Sequence, residues 1–210
     1  MNINEINTKN HFLAIAEEAK ENDLDIENIH IKNEIFSNED LSKINFSEIV
    51  FEGCRFLDCS FKKCGFVNSV FKNCDLSNCN FDEAYFSKTN FQNSKFLGAN
   101  LYRTIIKDAQ IKNCNFRYAI LDMSSFHFVQ LINCDFSNAG LNECKIKKMD
   151  IKECKFIMTG FFKTKLNSLD FSNSLIEGIV LSDNFLELKG VKLNEFQAIE
   201  IAKLLGVIVI

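Results

Sequence analysis

Nine cysteines and three histidines are the residues of this 210-residue chain best equipped for chemistry. Cys54, Cys59 and Cys64 stand five apart in FEGCRFLDCSFKKCGF, residues 51–66, and a phenylalanine follows each by two. Clustered thiols suggest a zinc site, a disulfide framework or reactive sulfur. Structural zinc sites draw on pairs spaced C-x₂₋₄-C that converge on one point. Here every interval between cysteines is a multiple of five. The count is odd, and MNINEINTKNHF at the start has no basic n-region of a secretory signal. No apolar run approaches the ~18 residues of a membrane span. Free thiols in a soluble, cytoplasmic protein are therefore expected. His11, His30 and His127 have no partners at motif spacing, and there is no glycine-rich phosphate loop, G-x-S-x-G or H-E-x-x-H. The chain reads as non-enzymatic, with no cofactor and no metal.

The cysteines belong to a larger pattern. From Leu41, every fifth residue to Leu181 is Phe, Leu or Ile: 29 positions holding 16 Phe, 8 Leu and 5 Ile. Ile26, Ile31 and Phe36 extend the register upstream. All nine cysteines lie two residues before a register position, and the other occupants there are mostly Ala, Ser and Thr. A period of five fits neither a helix nor a simple strand. It fits a chain that turns a corner every five residues, with the large residue and the small one two before it both pointing inward. Such coils stack into a solenoid. Phe51, Phe56, Phe61, Phe66, Phe71, Phe81, Phe86, Phe91 and Phe96 then form a core ladder with Cys54, Cys74, Cys114, Cys134 and Cys154 as small core residues. Cysteines 20 apart would stack at the strand spacing of ~4.8 Å, beyond the ~3.8 Å Cβ separation of a disulfide. The chain also has no proline, consistent with long regular structure.

This pattern resembles the pentapeptide-repeat family across roughly residues 26–190. Ala99-Asn100-Leu101 matches the Ala-Asp/Asn-Leu consensus, and Cys74-Asp75-Leu76, Cys79-Asn80-Phe81, Thr89-Asn90-Phe91 and Cys134-Asp135-Phe136 are close variants. The resemblance implies an all-β solenoid, a right-handed quadrilateral β-helix with four faces and 20 residues per coil.

Both ends need closure, because an open coil exposes a hydrophobic cross-section and unpaired strand edges. Residues 1–25 read as an N-terminal cap carrying a helix over 9–22, with Phe12, Ile15, Ala16 and Ala19 on one face. Residues 191–210 read as a C-terminal helix and strand. Asn194 is the expected N-cap, the helix runs to about Leu205, and Gly206 stops it. Gln197, Glu200 and Lys203 form its narrow polar stripe. So wide an apolar arc predicts that one side caps the last coil and the other meets a second copy. The expected two-fold interface is Phe196, Ile199, Ile201, Ala202, Leu204, Leu205, Val207, Ile208 and Val209. Residues 207–210 would be an unpaired β edge in a monomer.

This ending also resembles the Qnr and MfpA group of pentapeptide-repeat proteins. The match lies in Gly190-Val191-Lys192-Leu193, Gln197-Ala198 and Leu205-Gly206-Val207-Ile208-Val209-Ile210. It implies a homodimer through the C-termini. It also implies binding to type II topoisomerases (DNA gyrase and topoisomerase IV) as a DNA-shaped rod, with protection from quinolones.

The length suits a rod: at ~4.8 Å per coil the repeats span roughly 35 Å. The charge suits it less. Duplex DNA of that length carries about 20 negative charges. Residues 41–185 hold 18 Lys and Arg against 15 Asp and Glu, whereas residues 1–40 hold 10 acids against 3 lysines. A scaffold for other protein partners is the second reading; direct binding of nucleic acid or membrane is not expected.

Overall fold

A computed structural model of the chain describes residues 4–6 and 8–210, with side chains from residue 8 onward. The five-residue register closes into the expected four-walled β-solenoid of about eight coils. Register partners lie 20 residues apart and all ladders are parallel. Phe46 pairs with Phe66 on one wall, Phe51 with Phe71 on the next, and Phe36 with Phe56 on the third. The remaining wall is held by single bridges, Asp40 to Ser60 to Asn80 to Asn100. Two longer strands, Ser125–Ile132 and Lys145–Lys152, each run around a corner and cover two walls.

The corner explains how a chain of ordinary residues bends so often. Every fifth residue from Lys43 through Ser168 has φ between 49° and 67°. Glycine and asparagine take this left-handed conformation most readily. Asn73, Asn93, Asn113 and Asn133 hold one corner, and their side chains form a ladder with N···O distances of 3.1, 2.9 and 2.9 Å. Tyr118, Met123 and Phe128 hold the same φ at other corners, where only stacking on both sides maintains so unfavourable a backbone.

Inside, the register positions from Leu41 to Leu141 are sealed from solvent, as are the residues two before them from Ile44 onward. Rings 20 apart stack face to face: Phe46 on Phe66 at 4.9 Å, Phe66 on Phe86 at 5.1 Å, and Phe96 on Phe116 at 4.7 Å. Rings on adjacent walls meet edge to face, as Phe66 and Phe71 do at 5.1 Å. Both arrangements suit the aromatic quadrupole.

At the first end lies α1, Lys9–Asn22, capped by Thr8. Phe12, Ala16 and Ala19 close the first coil, and the Phe12 ring meets Phe36 at 5.5 Å and Phe51 at 5.9 Å. Lys9 and Lys20 pin the helix to Glu39 and Asp40. At the other end the register breaks after Leu181. A 3-10 turn, Leu186–Leu188, turns Leu186 out to solvent and lets Leu188 pack on the core. The chain then rejoins the coil two residues late: Phe171 donates its N–H to Lys192, 21 residues on, where Phe56 donates to Asp75, 19 on. The helix α2, Glu195–Leu204, follows. No helix among the described residues is long and apolar enough to cross a membrane.

Candidate functional site

The sulfur chemistry considered from sequence finds no site in this geometry. All nine cysteines are free and buried. Their thiols donate to backbone carbonyls of the previous coil, Cys64 to Leu41 at 2.9 Å and Cys79 to Phe56 at 3.3 Å. Burial pushes Cys54 up to about 11, and Cys64, Cys74, Cys79 and Cys144 up to about 12. Thiolate is the reactive form, so the folded chain should leave 5,5′-dithiobis(2-nitrobenzoate) nearly unreacted at pH 8. In denaturant all nine should react promptly. Rapid labelling of most of them in the native state would contradict the packed interior.

The histidines are dispersed. His11 is exposed on α1, and His30 approaches Glu52 at 3.1 Å, which also pairs with Lys72 at 2.7 Å. His127 lies in the ladder between Lys107 and Lys147. Among the described residues no group of three or more His, Cys, Asp or Glu is arranged to hold a metal.

What remains is surface, and its features are concentrated at the two ends. The acidic residues Glu17, Glu18, Glu21, Asp23 and Asp25 are exposed around α1. The walls mix both signs, and one becomes basic toward the C-terminal end at Lys145, Lys147, Lys148 and Lys165. The C-terminal end itself is apolar.

The orientation of α2 differs from the expectation in one instructive respect. The apolar arc predicts a helix that caps the coil with its apolar side. Instead Gln197, 4 % exposed, turns inward. The last coil has no successor, so its carbonyls need donors. Gln197 Nε2 donates to the carbonyls of Phe171 at 2.7 Å and Ser174 at 2.5 Å. Asn194 Nδ2 donates to the Ser172 carbonyl at 2.8 Å. Asn194 and Gln197 also form a reciprocal capping box at the start of α2. The Asn-x-x-Gln spacing makes that box legible in the sequence; its second task is not.

Turning the polar residue inward leaves the apolar ones outside. Phe196 is 71 % exposed, and Ile199, Leu204, Leu205, Val207, Ile208 and Val209 are exposed with it. Ile201 is a correction to the expected set: it packs on the core beside Val191 and Leu193. Ala202 is half-buried. Residues 207–210 form no strand, because no edge within the chain is offered to them.

The model for pentapeptide repeats matches in eight copies, over residues 40–78, 69–108, 79–118 and 109–147. None of the curated proteins is significantly similar in sequence. Among solved structures, a trypsin-treated QnrB1, described as a plasmid-mediated fluoroquinolone resistance protein, is 24 % identical with a TM-score of 0.52. The alignment covers 87 % of this chain and 90 % of that one. HetL, a pentapeptide repeat protein involved in heterocyst differentiation regulation in the cyanobacterium Nostoc sp. strain PCC 7120, is 12 % identical with a TM-score of 0.57. That alignment covers 89 % of this chain and 92 % of HetL. With an unbroken five-residue register, four parallel walls and family matches across just over half its length, the chain belongs to the pentapeptide-repeat family.

Proposed function

We propose that this chain is a non-enzymatic binding protein whose C-terminal ends join two copies into one rod. The rod docks on a type II DNA topoisomerase, DNA gyrase or topoisomerase IV, in the place of duplex DNA and protects it from quinolones. The outward apolar face of α2 and residues 207–210 carries this reading. Seven exposed apolar side chains at one end of a sealed rod are far more than solubility favours. A two-fold partner covers them in a closed assembly, and an unpaired 207–210 segment gains a strand partner there. The likeness to QnrB1 over most of both chains, together with the C-terminal sequence resemblance, supports the topoisomerase as target. The acidic N-terminal segments then lie at the two tips of the dimer, so the DNA-like charge belongs to the tips and not to the walls.

The test has two arms. Light scattering should give twice the 24.1 kDa of one chain. At micromolar concentration the protein should inhibit gyrase supercoiling or restore it in the presence of ciprofloxacin. Neither effect at that concentration overturns the topoisomerase reading. The near balance of 18 basic and 15 acidic residues over 41–185 favours the second reading, a scaffold for other proteins. A dimer that leaves gyrase untouched selects it.

A further inference from the structure

The register break after Leu181 leaves a cleft beside the last coil. Its volume is about 720 Å³, and Lys163, Lys165, Lys189, Leu186, Asn184 and Glu187 are among the residues lining it. That volume lies in the range of small-molecule sites. The three lysines are exposed, and none takes part in an ion pair among the described residues. Lys163 lies over the Phe162 ring at 4.8 Å, which holds one ammonium at the rim.

Glu187 is the unusual member. It is 3 % exposed, a carboxylate almost wholly removed from water. Its Oε1 accepts from the N–H groups of Lys163 at 2.8 Å and Ser182 at 3.2 Å, and from the Ser182 hydroxyl. Its Oε2 has no donor among the described residues. A buried acceptor without a donor is costly, and more so when charged. The wall over it is made of side chains that turn aside easily: lysine stems and Leu186, itself 65 % exposed.

Three requirements follow for an occupant. It needs an anionic head for the ammonium groups, an apolar body against Leu186 and the lysine stems, and one hydrogen-bond donor for Glu187 Oε2. Inorganic phosphate meets only the first, and a fatty acid meets two. We infer that the cleft binds a nucleoside monophosphate whose base carries an exocyclic amino group. The phosphate lies among Lys163, Lys165 and Lys189, and the amino group donates to Glu187 Oε2. This site is independent of the dimer and of any topoisomerase.

Calorimetric titration of the full chain tests it, with 5′-AMP, purine riboside 5′-monophosphate, adenosine and inorganic phosphate as probes. AMP should saturate one site per chain with Kd below about 1 mM. The analogue without the amino group and the nucleoside without phosphate should each bind about tenfold more weakly or worse. The double variant Lys165→Ser, Lys189→Ser should weaken AMP by about tenfold or more, and it alters only exposed side chains. Glu187→Gln keeps an acceptor for Lys163 and Ser182 but places a donor at Oε2; it should erase the preference for AMP over its deaminated analogue. The inference is overturned by absence of saturable AMP binding, by phosphate binding as well as AMP, or by AMP binding unchanged in the lysine variant.

Discussion

Replacing Phe66 by alanine should destabilise the protein by about 3–5 kcal/mol, the range for a buried phenylalanine cut back to its Cβ. The Tm should fall by roughly 10 °C for a chain of this size. Phe66 is completely buried, stacked on Phe46 at 4.9 Å and on Phe86 at 5.1 Å, and met edge-on by Phe61 at 5.9 Å and Phe71 at 5.1 Å. Alanine removes a ring from the middle of a column. The coils above and below are held by backbone ladders and cannot collapse onto the gap. Phe66→Leu should cost much less, about 1–1.5 kcal/mol, because leucine already occupies the register at Leu76, Leu101 and Leu121. Tyr118→Ala at an outward corner should stay within about 0.5 kcal/mol. Since each coil touches only its neighbours, the Phe66→Ala defect should also appear as early amide exchange confined to nearby coils. Denaturation with a midpoint unchanged from the parent chain would refute the stacked-ring account of the core.

The interior could be read from sequence because one geometric rule governs it. A residue's position within its group of five decides whether it points in or out, and neither propensity nor distant packing changes that. Phe51 through Phe96, and the cysteines beside them, are therefore buried where their spacing places them. The corners were only half legible. Asn73, Asn93, Asn113 and Asn133 announce a left-handed residue, but Tyr118, Met123 and Phe128 adopt the same φ with no local preference for it. Their conformation is imposed by the coils on either side, which no window of sequence contains.

The ends obey no such rule, and there the sequence was misleading in detail. Leu186 keeps the five-residue step yet points to solvent, because the 3-10 turn moves the chain off register and Leu188 takes the inward place. The cleft lined by Lys163, Lys165 and Lys189 is a product of that slip, built from residues distant in the pattern. The helical wheel of α2 separates its apolar and polar sides correctly but does not say which side faces the coil. That choice depends on which backbone groups the final coil leaves unpaired, a quantity visible only once the chain has folded.

Gln197→Leu decides between the two views of that end. If hydrophobic contact closed the solenoid, leucine at this buried position would stabilise it, since burying such a side chain is worth about 1.5–3 kcal/mol. The geometry here gives the opposite sign. Leucine would remove the donors to the Phe171 and Ser174 carbonyls and the acceptor for the Asn194 N–H, three bonds of 2.7, 2.5 and 2.9 Å. Each buried group left without a partner costs about 1–3 kcal/mol. Against this the added apolar contact is a partial offset, and the net loss should be about 2–4 kcal/mol. Gln197→Glu should be damaging as well, because a carboxylate would face two carbonyl oxygens where an amide now donates. Chemical denaturation of the two variants, with Glu200→Gln on the solvent side as control, measures the sign directly. A stabilised Gln197→Leu would mean that α2 closes the rod with its apolar face, and would withdraw from the outside the very surface on which a second copy is proposed to dock.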